Sequence, residues 1–129
     1  MPRLSLCGVV HENGRYLVAR RKSGGTQGGK WEFPGGKREP GETAEQALVR
    51  EFVEELAVIV SVSSCLYVGS FANGPKEYRL EAWETTLTSR EFRLSEHQEL
   101  RWVFPAELLN LDLSDSDRQV AEFLNSSRG

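Results

Sequence analysis

Residues 42–58 read ETAEQALVREFVEELAV, and this stretch decides the fold. Thr43 and Gln46 have the spacing of a capping box, and Glu45 falls near the positive end of a helix dipole. The pattern predicts a helix from Thr43 to about Leu56. With Arg50 at zero and about 100° per residue, Glu54 lies near 40°, Glu51 near 100° and Glu55 near 140°. Leu48, Val49, Phe52, Val53 and Leu56 fill roughly 160° to 300° on the same projection. One arc can therefore pack on a sheet. The other gathers three carboxylates with two small residues, Ala44 and Ala47.

Such crowding is unfavourable by itself. Like charges at i,i+3 and i,i+4 destabilise a helix by a few tenths of a kcal/mol per pair. Arg50, four residues before Glu54, relieves part of this and leaves two glutamates without a local cation. A solvated helix face and a site for a hard divalent cation both fit these residues. Carboxylate oxygens suit magnesium, which keeps several waters and also binds substrate phosphates.

Outward from the helix the chain reads mainly as strand. Leu4 to Val10 and Tyr16 to Arg20 are β-rich runs joined by a hairpin turn at Glu12-Asn13-Gly14. Ser23 to Lys30 (SGGTQGGK) is a glycine-rich loop, and Trp31 to Phe33 is short and extended. Pro34-Gly35-Gly36 and Pro40-Gly41 read as turns. Val58 to Phe71, Glu77 to Thr88 and Arg101 to Phe104 read as strands, with Asn73-Gly74-Pro75 turning between the first two. Ser114 caps a last helix that ends near Leu124. Strands around one strong helix and one terminal helix predict a mixed sheet with helices packed on it.

The 129 residues suit one domain, 1–129. Hydrophobic residues make up 39% and charged residues 27%, which places the chain among folded soluble proteins. A net charge of -3 supplies no electrostatic footprint for a nucleic-acid polymer, although a nucleotide substrate remains compatible. Cys7 and Cys65 lie in apolar runs and read as buried, reduced thiols, and without a CxxC a zinc site is not expected. The apolar run in MPRLSLCGVV is too short for a signal peptide, and no stretch approaches a membrane span, so the expected compartment is the cytoplasm.

The flanks of the helix sharpen the reading. WEFPGGKREPGET precedes it, with adjacent glycines that let backbone approach a ligand closely. Gly36, five residues, Glu42, seven residues, then Arg50-Glu51-Phe52-Val53-Glu54-Glu55 is a long and specific pattern. It resembles the Nudix box, the signature of the Nudix hydrolases, over about residues 36–58. One position departs: the family has Gly where this chain has Ala57. Gly there permits a left-handed helix end, and Ala in that conformation costs about 1 kcal/mol.

The resemblance implies a Nudix-type α/β/α sandwich, a mixed sheet between helices, and magnesium-dependent hydrolysis of a nucleoside diphosphate linked to another group, with manganese as a substitute. Glu51, Glu54 and Glu55 are implied as metal ligands together with the backbone carbonyl of Gly36. Arg50 is implied to orient a glutamate through charge-assisted hydrogen bonds. The run KWEFPGGKREPGETAEQALVRE is similar to the MutT-like branch, the nucleoside triphosphate pyrophosphohydrolases. By that likeness Arg21 and Lys37 contact phosphates, and Phe33 and Asp117 read the nucleobase. By the same likeness Glu96, six residues before Trp102 in SEHQELRWV, is implied as a further metal ligand or general base. Catalysis is expected to depend on Glu54, Arg50 and Glu96.

The expected reaction cleaves a nucleoside triphosphate, such as oxidised dGTP, CTP or dCTP, to monophosphate and pyrophosphate. The alternatives are a Nudix enzyme for dinucleoside polyphosphates or nucleotide sugars, or a non-catalytic nucleotide-binding module. The expected partner is a small nucleotide, with the chain a monomer or homodimer and no membrane involved. Gly24 to Lys30 fits GxxxxGK, but Trp31 stands where Ser or Thr would bind magnesium, so a P-loop is not expected. Glu32 reads as a local hydrogen-bonding residue, His97 as structural and His11 as surface. The three tryptophans read as core or rim.

Overall fold

The computed structural model describes residues 3–127. β1 (Arg3–Glu12) and β2 (Arg15–Arg21) form the expected hairpin. Asn13 and Gly14 sit at φ of 52° and 78°, the paired positive values that a two-residue type I′ turn requires. β3 (Trp31–Glu32), β4 (Gly35–Lys37) and α1 (Ala44–Leu56) follow, then β5 (Val60–Asn73), β6 (Lys76–Leu87), β7 (His97–Val103), α2 (Pro105–Leu108) and α3 (Asp115–Ser127). The seven strands form one sheet in the order β3-β2-β1-β6-β5, with β4 paired to β1 and β7 paired to β2. β1 and β6 run parallel, and the other named strand pairs run antiparallel. β1 divides its edge, with Ser5–Cys7 facing β4 and its last two residues facing β2.

Alternation along the strands sorts the core into two layers. Leu6 and Val10 of β1 and Leu17 of β2 pack with Leu48, Phe52 and Leu56 of α1 on one face. Cys7, Val9, Tyr16 and Val18 pack with Val120, Ala121 and Leu124 of α3 on the other. Gly8 lies under the Phe52 ring, where a Cβ would collide with it, so glycine lets α1 sit close to the sheet. The result is the expected mixed sheet between helical layers.

α1 starts as the sequence predicts. Thr43 accepts from the Gln46 amide and Gln46 returns to the Thr43 amide, a complete capping box. It ends on Ala57 in the left-handed region (φ 58°, ψ 34°), whose N–H donates back to Phe52 and Val53 carbonyls. The chain thus adopts the turn that glycine would favour and carries the strain of a Cβ there.

Several expectations are corrected. Gly35-Gly36 is not a turn but the start of β4, which continues the sheet beyond β1. Gly35 is obligatory there: its φ is 156°, and a Cβ would strike the Leu6 carbonyl. β7 begins at His97 rather than Arg101, because β2 offers a partner along its whole length. The short α2 was not expected; Pro105 opens it and Glu107 accepts from the Phe104 amide. α3 runs on past Leu124 to Ser127. Cys7 is buried, but Cys65 is exposed on β5, and both are free thiols.

The buried arc of α1 is also rotated from the projected one. Val53 is 44% exposed, whereas Ala47 and Glu55 are buried. β4 packs beside α1 on the glutamate side, so that side is covered and the Val53 edge is not.

Candidate functional site

Gly36 and Glu51 are in direct contact. A Cβ on Gly36 would collide with the Glu51 carboxylate, so glycine in β4 makes the space that this glutamate occupies. Arg50 organises the acids around it. Its Nε and Nη2 donate to the two oxygens of Glu42 at 2.7 and 2.9 Å, a bidentate pair. Nη1 donates to Glu51 at 2.5 Å and to Glu54 at 3.1 Å, and Nη2 also reaches the Lys37 carbonyl at 3.2 Å. The expectation that Arg50 relieves only Glu54 is therefore too narrow. The chain turn at Pro40-Gly41 brings Glu42 back against it, which helix spacing alone does not reveal.

These contacts set the charge states. The Arg50 guanidinium and the Glu39 amide hold the Glu42 carboxyl down at about 2. The acids in turn raise Arg50 above its usual value, chiefly through Glu42. Glu55 behaves oppositely. It is 4% exposed and Arg50 does not reach it; its Oε1 has no hydrogen-bond partner among the described residues. Burial, then a hydrogen bond and charge repulsion from Glu51, then the charges of Glu32 and Glu96 push it up to about 10.

Glu96 reaches this cluster from 41 residues beyond Glu55 in sequence. Ser95 donates its hydroxyl to the Glu54 carbonyl at 2.8 Å and its amide to the Glu55 carbonyl at 3.2 Å, which docks the segment on the end of α1. Glu96 is exposed, and its carbonyl accepts from the Lys22 amide at the start of the glycine-rich loop. That loop leads into strand β3, not a helix, which agrees with the absence of a P-loop.

β3 and β7 add two residues that sequence reading left without a role in the site, and they meet Arg21 of β2. Glu32 in β3 lies 2.7 Å from Nε2 of the buried His97 in β7, and Arg21 in β2 reaches the same Glu32 oxygen at 3.4 Å. Glu32, Glu55 and His97 each bring a ligand atom within 4.8 Å of the others. Strand alternation carried a signal for this. Trp31 and Phe33 are buried in the α3-side core, so the residue between them must face the α1 side.

The residues expected at the base and phosphates divide into two positions. Lys37, after Gly36 in β4, places its Nζ 5.1 Å from the centre of the Tyr78 ring, and Tyr78 stacks on Phe71 at 5.0 Å. These two aromatics border a groove of about 440 Å³ lined by Gly69–Ala72 and Glu77–Arg79. Asp117 lies in the first turn of α3, where its Oδ1 accepts from the Phe33 amide at 3.0 Å and its Oδ2 from the Ser114 hydroxyl at 2.5 Å. Burial and then the Glu32 charge push its carboxyl up to about 7, against the lowering effect of Ser114, Phe33 and Arg21. The Phe33 ring is 2% exposed and belongs to the core, so this residue meets the site through its backbone.

Chemically, four acids, Glu39, Glu42, Glu51 and Glu54, stand within 4 Å of the Arg50 guanidinium, and a buried acid, Glu55, has no cation of its own among the described residues. All are hard oxygen donors, which fit a divalent cation and the phosphates it would carry. Among the described residues no helix is long and apolar enough to cross a membrane.

Comparison with known proteins gives the family and the fold. The family model described as NUDIX domain matches residues 1–124. The chain is 36% identical over 116 residues to a CTP pyrophosphohydrolase of Escherichia coli K12, covering 88% of this chain and 84% of the relative. It is 31% identical over 129 residues to the nucleoside triphosphatase NudI of Enterobacter sp. strain 638, covering 90% and 92%. The solution structure of the E. coli ORF135 protein superposes with a TM-score of 0.86 at 31% identity, covering 98% and 91% of the two chains. A MutT protein from Methanosarcina mazei Go1 superposes with a TM-score of 0.85 at 25% identity, covering 99% and 97%.

Proposed function

From the premise that this chain belongs to the Nudix family, we propose that it hydrolyses nucleoside triphosphates to the monophosphate and pyrophosphate with Mg2+ as cofactor. The observation that carries this reading is the grip of Arg50 on Glu42, Glu51 and Glu54 beside a buried Glu55 that has no cation. Acids held in place by one guanidinium keep their oxygens aimed without neutralising them all. Glu51, Glu54 and Glu55, with the Gly36 carbonyl and Glu96, are the proposed ligands. These residues would hold Mg2+, which would neutralise the polyphosphate and lower the pKa of the attacking water.

The chain's own residues then position and move charge. Glu54, with a 56% exposed side chain and one ion pair, is free to take the proton of the attacking water. Glu96, also exposed, is the proposed second acceptor. Arg50 keeps Glu51 and Glu54 in register through Nη1 and fixes its own plane on Glu42. Arg21 and Lys37 supply positive charge to the phosphates. Water adds to phosphorus, the P–O–P bridge breaks, and the bridging oxygen leaves with its electron pair as pyrophosphate or monophosphate.

For the base, Asp117 is the proposed reader, held by the Phe33 amide and Ser114. Its ionised form accepts hydrogen bonds and so favours an amine-bearing edge. A cytosine nucleotide fits that rule, and the similarity to a CTP pyrophosphohydrolase supports it; oxidised dGTP remains in the same substrate class.

The test is a hydrolysis panel of common and oxidised nucleoside triphosphates with and without Mg2+, products being resolved as phosphate or pyrophosphate. Mg2+-dependent pyrophosphate with one preferred base is the expected result. Turnover confined to nucleotide sugars or dinucleoside polyphosphates would overturn the substrate assignment.

A further inference from the structure

His97 is a buried base among acids. Its side chain has no exposure, its Nε2 lies 2.7 Å from Glu32 Oε2, and its Nδ1 has no partner among the described residues. Glu55, also buried, holds an oxygen without a partner. Native structures leave few buried polar atoms unsatisfied, and an ion is one of the ordinary explanations of those that remain. Glu55 Oε1 is the orphan that an ion shared with Glu32 and His97 would satisfy, the ion taking the place of the proton between His97 Nε2 and Glu32. The ligand atoms of Glu32, Glu55 and His97 lie within 4.8 Å of one another. Donors about 2.0–2.2 Å from one metal stand at most about 4.4 Å apart, so small side-chain adjustments close the set.

We propose that Glu32, Glu55 and His97 form an inner, mixed nitrogen–oxygen site for a first-row transition-metal dication. Imidazole selects such ions, whereas Mg2+ prefers oxygen ligands and retains its waters. The inner site rests on the reading that Glu55 is a metal ligand, and it makes Glu55 common to two environments: the oxygen set with Glu51 on one side, His97 and Glu32 on the other. Arg21 shares Glu32, its Nη1 lying 3.5 and 3.4 Å from the two carboxylate oxygens, so a metal bound there would take Glu32 over from this long, half-exposed ion pair. The consequence is a metal preference that an all-oxygen site would not show.

Pulsed EPR of Mn2+ bound to the whole protein decides this directly, through nitrogen hyperfine coupling. The chain has two histidines, and His11 is exposed on β1. The expected result is coupling to one imidazole nitrogen that persists in H11Q, where His97 is the sole histidine, and disappears in H97Q. Glu32→Gln should weaken Mn2+ binding about tenfold or more. Should H97Q fail to fold, the H11Q spectrum alone assigns the nitrogen. Absence of nitrogen coupling once Mn2+ binding is saturated, coupling lost in H11Q, or no Mn2+ binding would each overturn the inner site. Mg2+-dependent pyrophosphate release, measured on the same preparation, reports separately on the proposed reaction and can stand when the inner site fails.

Discussion

Arg50 and Glu42 meet through two parallel hydrogen bonds, Nε to Oε2 at 2.7 Å and Nη2 to Oε1 at 2.9 Å. The fork fixes the guanidinium plane, and with it the Nη1 that serves both Glu51 and Glu54. Lysine carries the charge but lacks the fork. Arg50→Lys should therefore lower kcat at least tenfold while the circular dichroism spectrum stays native. Glu42 adds a pH signature. Its folded pKa, about 2, lies below the ordinary 4.5, so its contribution to stability is present above 4.5 and is lost as pH falls toward 2. The stability gap between wild type and Glu42→Gln should close over that window in acid denaturation curves.

Glu54→Gln should fold normally and lose turnover by about a hundredfold or more, the range associated with a positioned general base. Steady-state kinetics at saturating Mg2+ measure it. Near-normal kcat would sink the role given to the exposed face of α1.

Glu55 should destabilise the metal-free protein. Its folded pKa is raised from 4.5 to about 10, so the folded state binds the proton more tightly than the unfolded state. Stability from this group is greatest below 4.5 and falls as pH rises through about 10. Glu55→Gln should flatten that fall, raise the metal-free melting temperature at pH 8, and abolish most of the stabilisation by added Mg2+. A steeper pH dependence in the variant would contradict the assignment.

Asp117 titrates near neutrality, from 3.8 up to about 7. As pH rises through 7 the carboxyl changes from a possible donor to an acceptor. Discrimination in favour of amine-bearing bases should strengthen from pH 6 to pH 8 in kcat/KM ratios. Asp117→Asn should remove that trend and leave the metal requirement in place.

Ala57→Gly tests the helix end apart from any chemistry. Ala57 holds φ at 58°, where a Cβ is strained. The substitution should stabilise the protein by about 0.5–1 kcal/mol, the strain released less the added freedom of the unfolded chain, as read from urea midpoints. Destabilisation would mean that this turn carries no such strain.

What was legible in the chain is what depends on near neighbours. The Thr43–Gln46 capping box, the Asn13-Gly14 hairpin and the apolar period of α1 are local, because hydrogen bonds and sterics within a few residues decide them. The box pattern also identified the family and marked Glu51, Glu54 and Glu55. The projection erred where neighbours from elsewhere intervened: β4 packs beside α1 at Glu51, Ala47 and Glu55 are buried, and Val53 is left at the solvent edge.

The tertiary structure alone decided which acids share which cations and which remain alone. Glu32 and His97 are 65 residues apart, and Phe33 and Asp117 are 84 apart, yet each pair is joined by a hydrogen bond. No period or spacing encodes such meetings. They arise because β3, β2 and β7 pair side by side and α3 packs across them, burying polar groups that must then find partners or a cation. The sequence by itself determined the helix, its acids and the family; the packing of distant strands determined that Glu55 is buried without a cation, next to His97.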